Sequence, residues 1–295
     1  MNCEYNISDK ELKSIIRDYN GQTVICDGDV IKFYPERVRN TNKGDYGSAN
    51  LIAGSNRYPG AAALAVSSAL RSGCGYVKLT CDESVKLALA ARYPSVIFSD
   101  EIDYRSQAIA IGMGSGVSKE LYEQIGNITQ KFTGILIIDA DGLNSIAQYG
   151  TDVLFGSKCR IILTPHPKEF SRLLNKGVDE ILEKPILKSE EFAKKYKVTL
   201  LLKGAFSIVT DGYETVIITR GSTALAKGGS GDMLSGYMAG SAARGLSAFD
   251  SAVCSAYTLG VSAEISSEQK TDYCATSQDI LNNLHFVVKR LTGKK

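Results

Sequence analysis

The chain has 295 residues, with 34 Lys and Arg against 32 Asp and Glu for a formal net charge of +2, and 44% of its positions are hydrophobic. This near-balance excludes the basic excess of a nonspecific nucleic-acid binder, and the apolar content excludes a disordered chain. The longest apolar runs (Leu51–Gly54, Gly134–Ile138, Arg160–Leu163, Val198–Leu202) fall far short of the roughly 18 residues of a membrane span. No apolar run near the N-terminus suggests a signal peptide. The seven cysteines, at 3, 26, 74, 81, 159, 254 and 274, form no CxxC pair, and there are only two histidines. That pattern excludes zinc ribbons, thioredoxin-like redox sites and His-rich metal sites. Scattered cysteines without a secretion signal point to a reducing cytoplasm, where most serve as small core residues.

In chain order, the pattern predicts a helix over 8–20 that opens on Ser8. A buried strand is expected over 49–54. Pro59 then starts an Ala-rich helix that runs to about Ser72 and is stopped by Gly73. A strand at 76–80, a helix at 83–92 and a strand at 96–99 follow. The strand 108–111 runs directly into Gly112-Met113-Gly114-Ser115-Gly116. Next come a helix near 118–130, a strand at 134–138 ending in Asp139-Ala140-Asp141, and a strand at 160–164 ending in Pro165-His166-Pro167. A charged helix at 187–196 precedes a strand at 198–202 that ends at Lys203-Gly204. Two short strands, 206–210 and 214–218, flank a turn at Asp211-Gly212. A glycine turn at 228–231 then leads into helices near 232–244, 248–267 and 277–291. Short β-rich runs alternating with helices imply an α/β fold: a mostly parallel central sheet with helices on both faces. Ligands of such sheets bind beyond the carboxyl ends of the strands, where these Gly, Asp and His clusters fall. The expected organisation is an N-terminal extension over 1–40 and one domain over 41–295.

The glycine turn Lys227-Gly228-Gly229-Ser230-Gly231-Asp232 carries the strongest chemical signal. Glycines let a backbone approach phosphate closely, and the free N–H groups of a helix start attract anions. An aspartate there repels phosphate, so it makes sense if it must touch the group that attacks the phosphate. The competing reading is a helix cap that complements the dipole. The 112–116 glycines are either a second site turn or only a tight turn, since they lack the dinucleotide fingerprint. Neither a GxxxxGK[ST] phosphate loop nor a GxSxG nucleophile elbow occurs. Asp139 and Asp141 suit either a water-mediated magnesium ion or an Asx turn with a helix cap. His166, held between two prolines at a strand end, suits a site better than a core. His285 lies among Leu281, Leu284 and Val288 and reads as structural or exposed. Lys203 to Ser207 place polar groups at a strand end, with a plain surface lysine as the alternative.

Taken in order, these segments resemble the ADP/ATP-dependent NAD(P)H-hydrate dehydratases of the ribokinase-like superfamily. The resemblance runs from about 40 to 290 through Lys43-Gly44-Asp45-Tyr46-Gly47, Ile52-Ala53-Gly54-Ser55, Gly60-Ala61-Ala62, Leu70-Arg71-Ser72-Gly73 and Ile111-Gly112-Met113-Gly114. It continues through Asp139 to Asn144, Leu163-Thr164-Pro165-His166-Pro167 with Glu169, Leu202-Lys203-Gly204, and Gly228 to Asp232. Departures are Met113 where proline is usual, Lys168 where glycine is usual, and Ser207 and Ser230 in place of threonines. The serines keep the hydroxyl, and Lys168 adds a cation near the site.

The resemblance implies nucleotide-dependent dehydration of the S epimer of NADH or NADPH hydrate, which restores NAD(P)H and releases phosphate. It implies Asp232 as the catalytic base. Ala61, Gly114, His166 and Asp232 would contact the hydrate. Lys203, Gly204, Ala205, Phe206, Ser207, Gly228, Gly229, Ser230 and Gly231 would hold the adenine nucleotide. Asp141, Asn144 and Glu169 would form a metal or water network. Mg2+ would bridge the phosphates of ADP or ATP, and no direct protein ligand is assigned to it. His166 is expected to orient the hydrate rather than move a proton. A homo-oligomer, a tetramer in the family, is implied, with a separate NAD(P)H-hydrate epimerase as functional partner. The residues before Lys43 are too few to encode an epimerase domain. The rival within the superfamily is a small-molecule kinase of the hydroxymethylpyrimidine or hydroxyethylthiazole type, which would release a stable phosphoester. A non-enzymatic nucleotide binder is the further alternative, and it would not need Asp232.

Overall fold

Four-residue runs of branched aliphatics are too short for a helical stripe, and they suit strands covered on both faces. Ala108–Ile111, Ile135–Ile138 and Thr199–Leu202 are buried at every position. Neighbours along each strand face opposite sides, so Ile135 and Ile137 join one core while Leu136 and Ile138 join the other. The computed structural model describes residues 23–293. The expected helix over 8–20 lies outside them.

The strands are β1 (Thr23–Val24), β2 (Ser48–Ile52), β3 (Tyr76–Thr80), β4 (Ile97–Ser99), β5 (Ala108–Ile111), β6 (Ile135–Ile138), β7 (Arg160–Leu163), β8 (Thr199–Leu202), β9 (Ser207–Thr210) and β10 (Thr215–Ile218). They form one sheet in the order β1-β10-β9-β8-β7-β6-β5-β2-β3-β4. Only β9 runs against its neighbours, and the remaining pairs are parallel. The expected strand over 49–54 stops at Ile52 because Gly54 turns the chain at φ +82° and its N–H donates to Met113 O at 2.8 Å. Residues within the expected N-terminal extension lie against this sheet: β1 pairs with β10, and Val30 and Phe33 are buried in the core.

One face is covered by α1 (Asp27–Val30), α2 (Pro59–Arg71), α3 (Glu83–Leu89), α9 (Ser230–Ala243), α10 (Ala248–Cys274) and α11 (Ser277–Thr292). The other is covered by α4 (Lys119–Lys131), α5 (Asp141–Tyr149), α6 (Pro167–Leu174), α7 (Val178–Glu183) and α8 (Pro185–Tyr196). The sequence pattern missed α1, α5, α6 and α7, each of nine residues or fewer, because helices this short draw their stability from tertiary packing rather than from their own propensity. Helix α9 is buried on all sides from Met233 to Ala243. It lies against α2 so closely that a Cβ at Gly236 would sit 2.1 Å from Ala65 O, and one at Gly240 1.9 Å from Ser72 Oγ. Cys159 and Cys254 are buried as expected, but Cys274 is exposed.

Candidate active site

The ends of β6 and β8 bring two opposite charges together beneath the sheet rim. Asp139, 1% exposed, follows β6. Its Oδ1 accepts from Lys203 Nζ at 2.8 Å, and its Oδ2 accepts from Ser235 Oγ at 2.8 Å. Lys203 follows β8, where its backbone N–H is fixed by Pro165 O at 2.8 Å. Glu169, 5% exposed, stands 3.8 Å from the same ammonium. Burial alone would push the Asp139 carboxyl up, but the Lys203 charge and its hydrogen bonds outweigh that and hold it below the ordinary value. Burial opposes the charge on Lys203, yet Asp139 and Glu169 raise its affinity for the proton. Glu169 itself is raised, chiefly by burial.

Above this pair lies the glycine turn. Gly229 has φ +94°, and a Cβ there would meet Leu64 Cδ1 at 2.3 Å, so only glycine fits. The helix begins at Ser230 rather than at 232 as the sequence pattern suggested, which places Ser230, Gly231 and Asp232 in its first turn. The N–H groups of a first turn have no intrahelical acceptor and face outward as anion donors. Ser230 Oγ is buried without a hydrogen-bond partner among the described residues. A Cβ on Gly231 would lie 3.2 Å from Asp139 Oδ2 and 3.5 Å from Lys203 Nζ, so the turn rests directly on the ion pair. Lys227 anchors the turn from behind, donating to the carbonyls of Asp272, Tyr273 and Ala275 at 2.8, 2.9 and 2.6 Å. Asp232 is half-buried. Desolvation first, then the charge of Asp139, raises its carboxyl to about 6, while Lys203 pulls the other way.

His166 is the N-cap of α6, and its Nδ1 accepts from the N–H groups of Lys168 and Glu169 at 3.1 and 3.2 Å. Glu169 returns the bond by accepting from His166 N at 2.8 Å, which completes a capping box. An accepting Nδ1 leaves the proton of the neutral ring on Nε2. Burial and Lys203 lower the imidazole's proton affinity, so the neutral form prevails. Across the rim, Gly114 (φ +65°) approaches Ala61 so closely that its Cβ would lie 2.7 Å from that of Ala61.

The structure therefore brings Asp139, His166, Glu169, Lys203, Gly231 and Asp232 together, and separately pairs Gly114 with Ala61. Gly204 and Ala205 are exposed on the loop after β8, and Phe206 and Ser207 are half-buried. Asp141 Oδ2 accepts from Gly116 N at 2.8 Å. Asn144 donates to Ala140 O at 3.1 Å and accepts from Arg172 at 2.7 Å. Neither Asp139 nor Asp141 caps α5, whose N-cap is Ala140 with φ 47° and no side-chain cap. Both oxygens of Asp139 accept one hydrogen bond each. Among the described residues no group of three or more His, Cys, Asp or Glu side chains could hold a metal ion. Sequence reasoning missed Ser235 and the anchoring role of Lys227. The i, i+3 spacing of Asp232 and Ser235 was the available signal for the first.

A sheet with one reversed strand, and a glycine turn opening a buried helix with a carboxylate in its first turn, define a ribokinase-like α/β protein. A family model described as NAD(P)H-hydrate dehydratase matches residues 49–285. The chain belongs to that family. It is 30% identical over 283 residues to the ADP-dependent (S)-NAD(P)H-hydrate dehydratase of Cenarchaeum symbiosum, covering 90% of this chain and 96% of the relative. It is also 30% identical over 276 residues to the bifunctional NAD(P)H-hydrate repair enzyme of Thermofilum pendens; the match covers 87% of this chain and 52% of that protein, so the chain spans about half its length. The crystal structure of the ADP/ATP-dependent NAD(P)H-hydrate dehydratase of Bacillus subtilis, co-crystallised with ATP/Mg2+, superimposes with a TM-score of 0.85 at 27% identity over 92% of this chain and 99% of that one.

Proposed function

We propose that the chain dehydrates the S epimer of NADH or NADPH hydrate with ADP or ATP, regenerating NAD(P)H and releasing phosphate. The observation that carries this reading is the Asp232 carboxylate, poised at about 6 in the first turn of an anion-binding helix. A group tuned near neutrality can accept a proton where a simple cap has no need to. Asp232 takes the proton of the C6 hydroxyl as its oxygen attacks the terminal phosphoryl group, whose bridging P–O bond breaks to release AMP from ADP or ADP from ATP. The N–H groups of Gly228 to Gly231 and the orphaned Ser230 hydroxyl stabilise charge on that group. The C6–O bond then breaks and phosphate leaves with its electron pair. The ring nitrogen supplies electrons, and loss of a C5 proton restores the dihydropyridine.

His166, neutral and fixed by its cap, orients the hydrate beside Ala61 and Gly114. The loop from Lys203 to Ser207 holds the adenine nucleotide. Lys203 keeps Asp139 ionised below the glycine turn. Asp141 would be the residue to hold, through water, a magnesium ion that would supply neutralisation of the phosphate charge. The same reading takes the protein as a cytoplasmic homotetramer that works with a separate epimerase. Among the described residues no helix is long and apolar enough to cross a membrane.

The test is to incubate the purified protein with the S hydrate and each nucleotide. Free phosphate should appear in step with NADH absorbance. A stable phosphorylated product would instead indicate a small-molecule kinase, and an untouched hydrate would exclude the reading.

A further inference from the structure

The chain runs outward through β2, β3 and β4, then returns to the opposite side of β2 and continues through β5 to β8. The order therefore reverses between β2 and β5, and ligands of open α/β sheets bind outside the carboxyl ends of the strands at such a reversal. A cleft of about 710 Å³ opens there, lined by Gly54 and Ser55 after β2, Asp82 after β3, Asp100 after β4, and Ser115 and Glu120 after β5. That volume lies within the roughly 300–1,000 Å³ usual for ligand sites. Gly54 and Ser115 join the cleft to the Gly114–Ala61 contact, because Gly54 N donates to Met113 O at 2.8 Å and Ser115 follows Gly114 directly.

A dinucleotide hydrate is long. With its reactive ring beside Ala61, Gly114 and Asp232, the remainder cannot extend over β6 to β8 if the phosphoryl donor occupies that side. This cleft is the route left at the rim. Its charge is one-sided. Lys86 is the cation that lines it, and Glu83, which also lines it, holds that ammonium at 2.9 Å. Asp82, Asp100 and Glu120 are left without an ion-pair partner among the described residues. Glu120 also sits in the first turn of α4, a helix start that would otherwise attract phosphate. Carboxylates in a nucleotide site accept hydrogen bonds from a ribose 2′-hydroxyl, whereas a 2′-phosphate calls for arginine.

We propose that this cleft receives the adenosine end of the hydrate and that Asp82, Asp100 and Glu120 select the 2′-hydroxyl of NADH hydrate over the 2′-phosphate of NADPH hydrate. The inference rests on the dehydratase reading above.

The experiment compares kcat/KM for the two S hydrates with one nucleotide at low and physiological ionic strength. NADH hydrate should be preferred by about fivefold or more at about 0.01 M salt, the sum of several exposed like-charge encounters. The preference should narrow at about 0.15 M as screening grows. The triple variant Asp82→Asn, Asp100→Asn, Glu120→Gln should raise kcat/KM for NADPH hydrate relative to NADH hydrate severalfold. Equal or reversed preference in the natural chain, or a variant that leaves the ratio unchanged, overturns the inference while leaving the dehydratase reading intact. Consumption of neither hydrate overturns that reading, and the inference with it.

Discussion

The burial that would tune Asp232 as the proposed base also costs stability. Its carboxyl has an ordinary value of 3.8 and is raised to about 6 in the folded chain. A base must be ionised, so kcat/KM should fall about tenfold per unit as pH drops below about 6. The native state holds this proton more tightly than the unfolded chain does. Its stabilising contribution is therefore present below 3.8 and is lost as pH rises from 3.8 to about 6. Above that window the ionised group is a burden on the fold. Asp232→Asn should accordingly unfold at higher urea at pH 8, by on the order of 1–2 kcal/mol, with the gain shrinking toward pH 4. The same variant should still bind nucleotide and lose at least about 100-fold in turnover. Retention of more than a tenth of the activity would reduce Asp232 to a cap.

At the scale of elements, the site depends on how near α9 comes to α2. Gly236 lies one turn beyond Asp232, and its missing Cβ is what lets the helix meet Ala65 O. An alanine there cannot be absorbed by a side-chain rotation, because the obstructing atoms belong to backbone. The helix must shift, and its first turn, with Asp232 and its backbone N–H groups, shifts with it. Gly236→Ala should lower stability by about 1–3 kcal/mol, the usual range for overpacking. It should also reduce turnover more than tenfold, because misplacement of about an ångström can cost two orders of magnitude. Full turnover at reduced thermal stability would show that the site tolerates the movement. Helix α6 shows the complementary arrangement. His166 and Glu169 are locked to each other's backbone, so the ring is aimed before any ligand arrives.

Across the whole molecule, the proposed function divides the site into two halves that meet at Asp232. On that reading the nucleotide half would lie over β6 to β8 and the organic half over β5, β2 and β3. Attack in line across that junction would have one geometry, and only one C6 epimer would present its hydroxyl to both the carboxylate and the phosphoryl group. With this chain as the only protein present, an epimeric mixture of hydrate should be consumed in two phases. The fast phase should have about half the amplitude, and the slow one should follow spontaneous epimerisation. Adding an epimerase should merge them. One fast phase to completion without it would mean that the chain accepts or interconverts both epimers.

Local order alone determined much of this protein. The strands at 76–80 and 108–111 and the helix starting at Pro59 follow from apolar runs, prolines and glycines that act within a few residues. The glycine turn with Asp232 was legible as a site because its oddity, an acid at an anion-attracting helix start, is itself local. Tertiary structure decided what depends on distant partners. The partners of Asp139 could not be read locally, because Lys203 is 64 residues away and Ser235 is 96 away. Lys227 became the anchor of the turn only when the end of α10 reached it. The raised carboxyl of Asp232 likewise comes from burial and from Asp139, neither of which is encoded in its own neighbourhood. Charge acts through space and desolvation requires a completed core, so the chain order names the chemical groups while the fold sets their protonation and their reach.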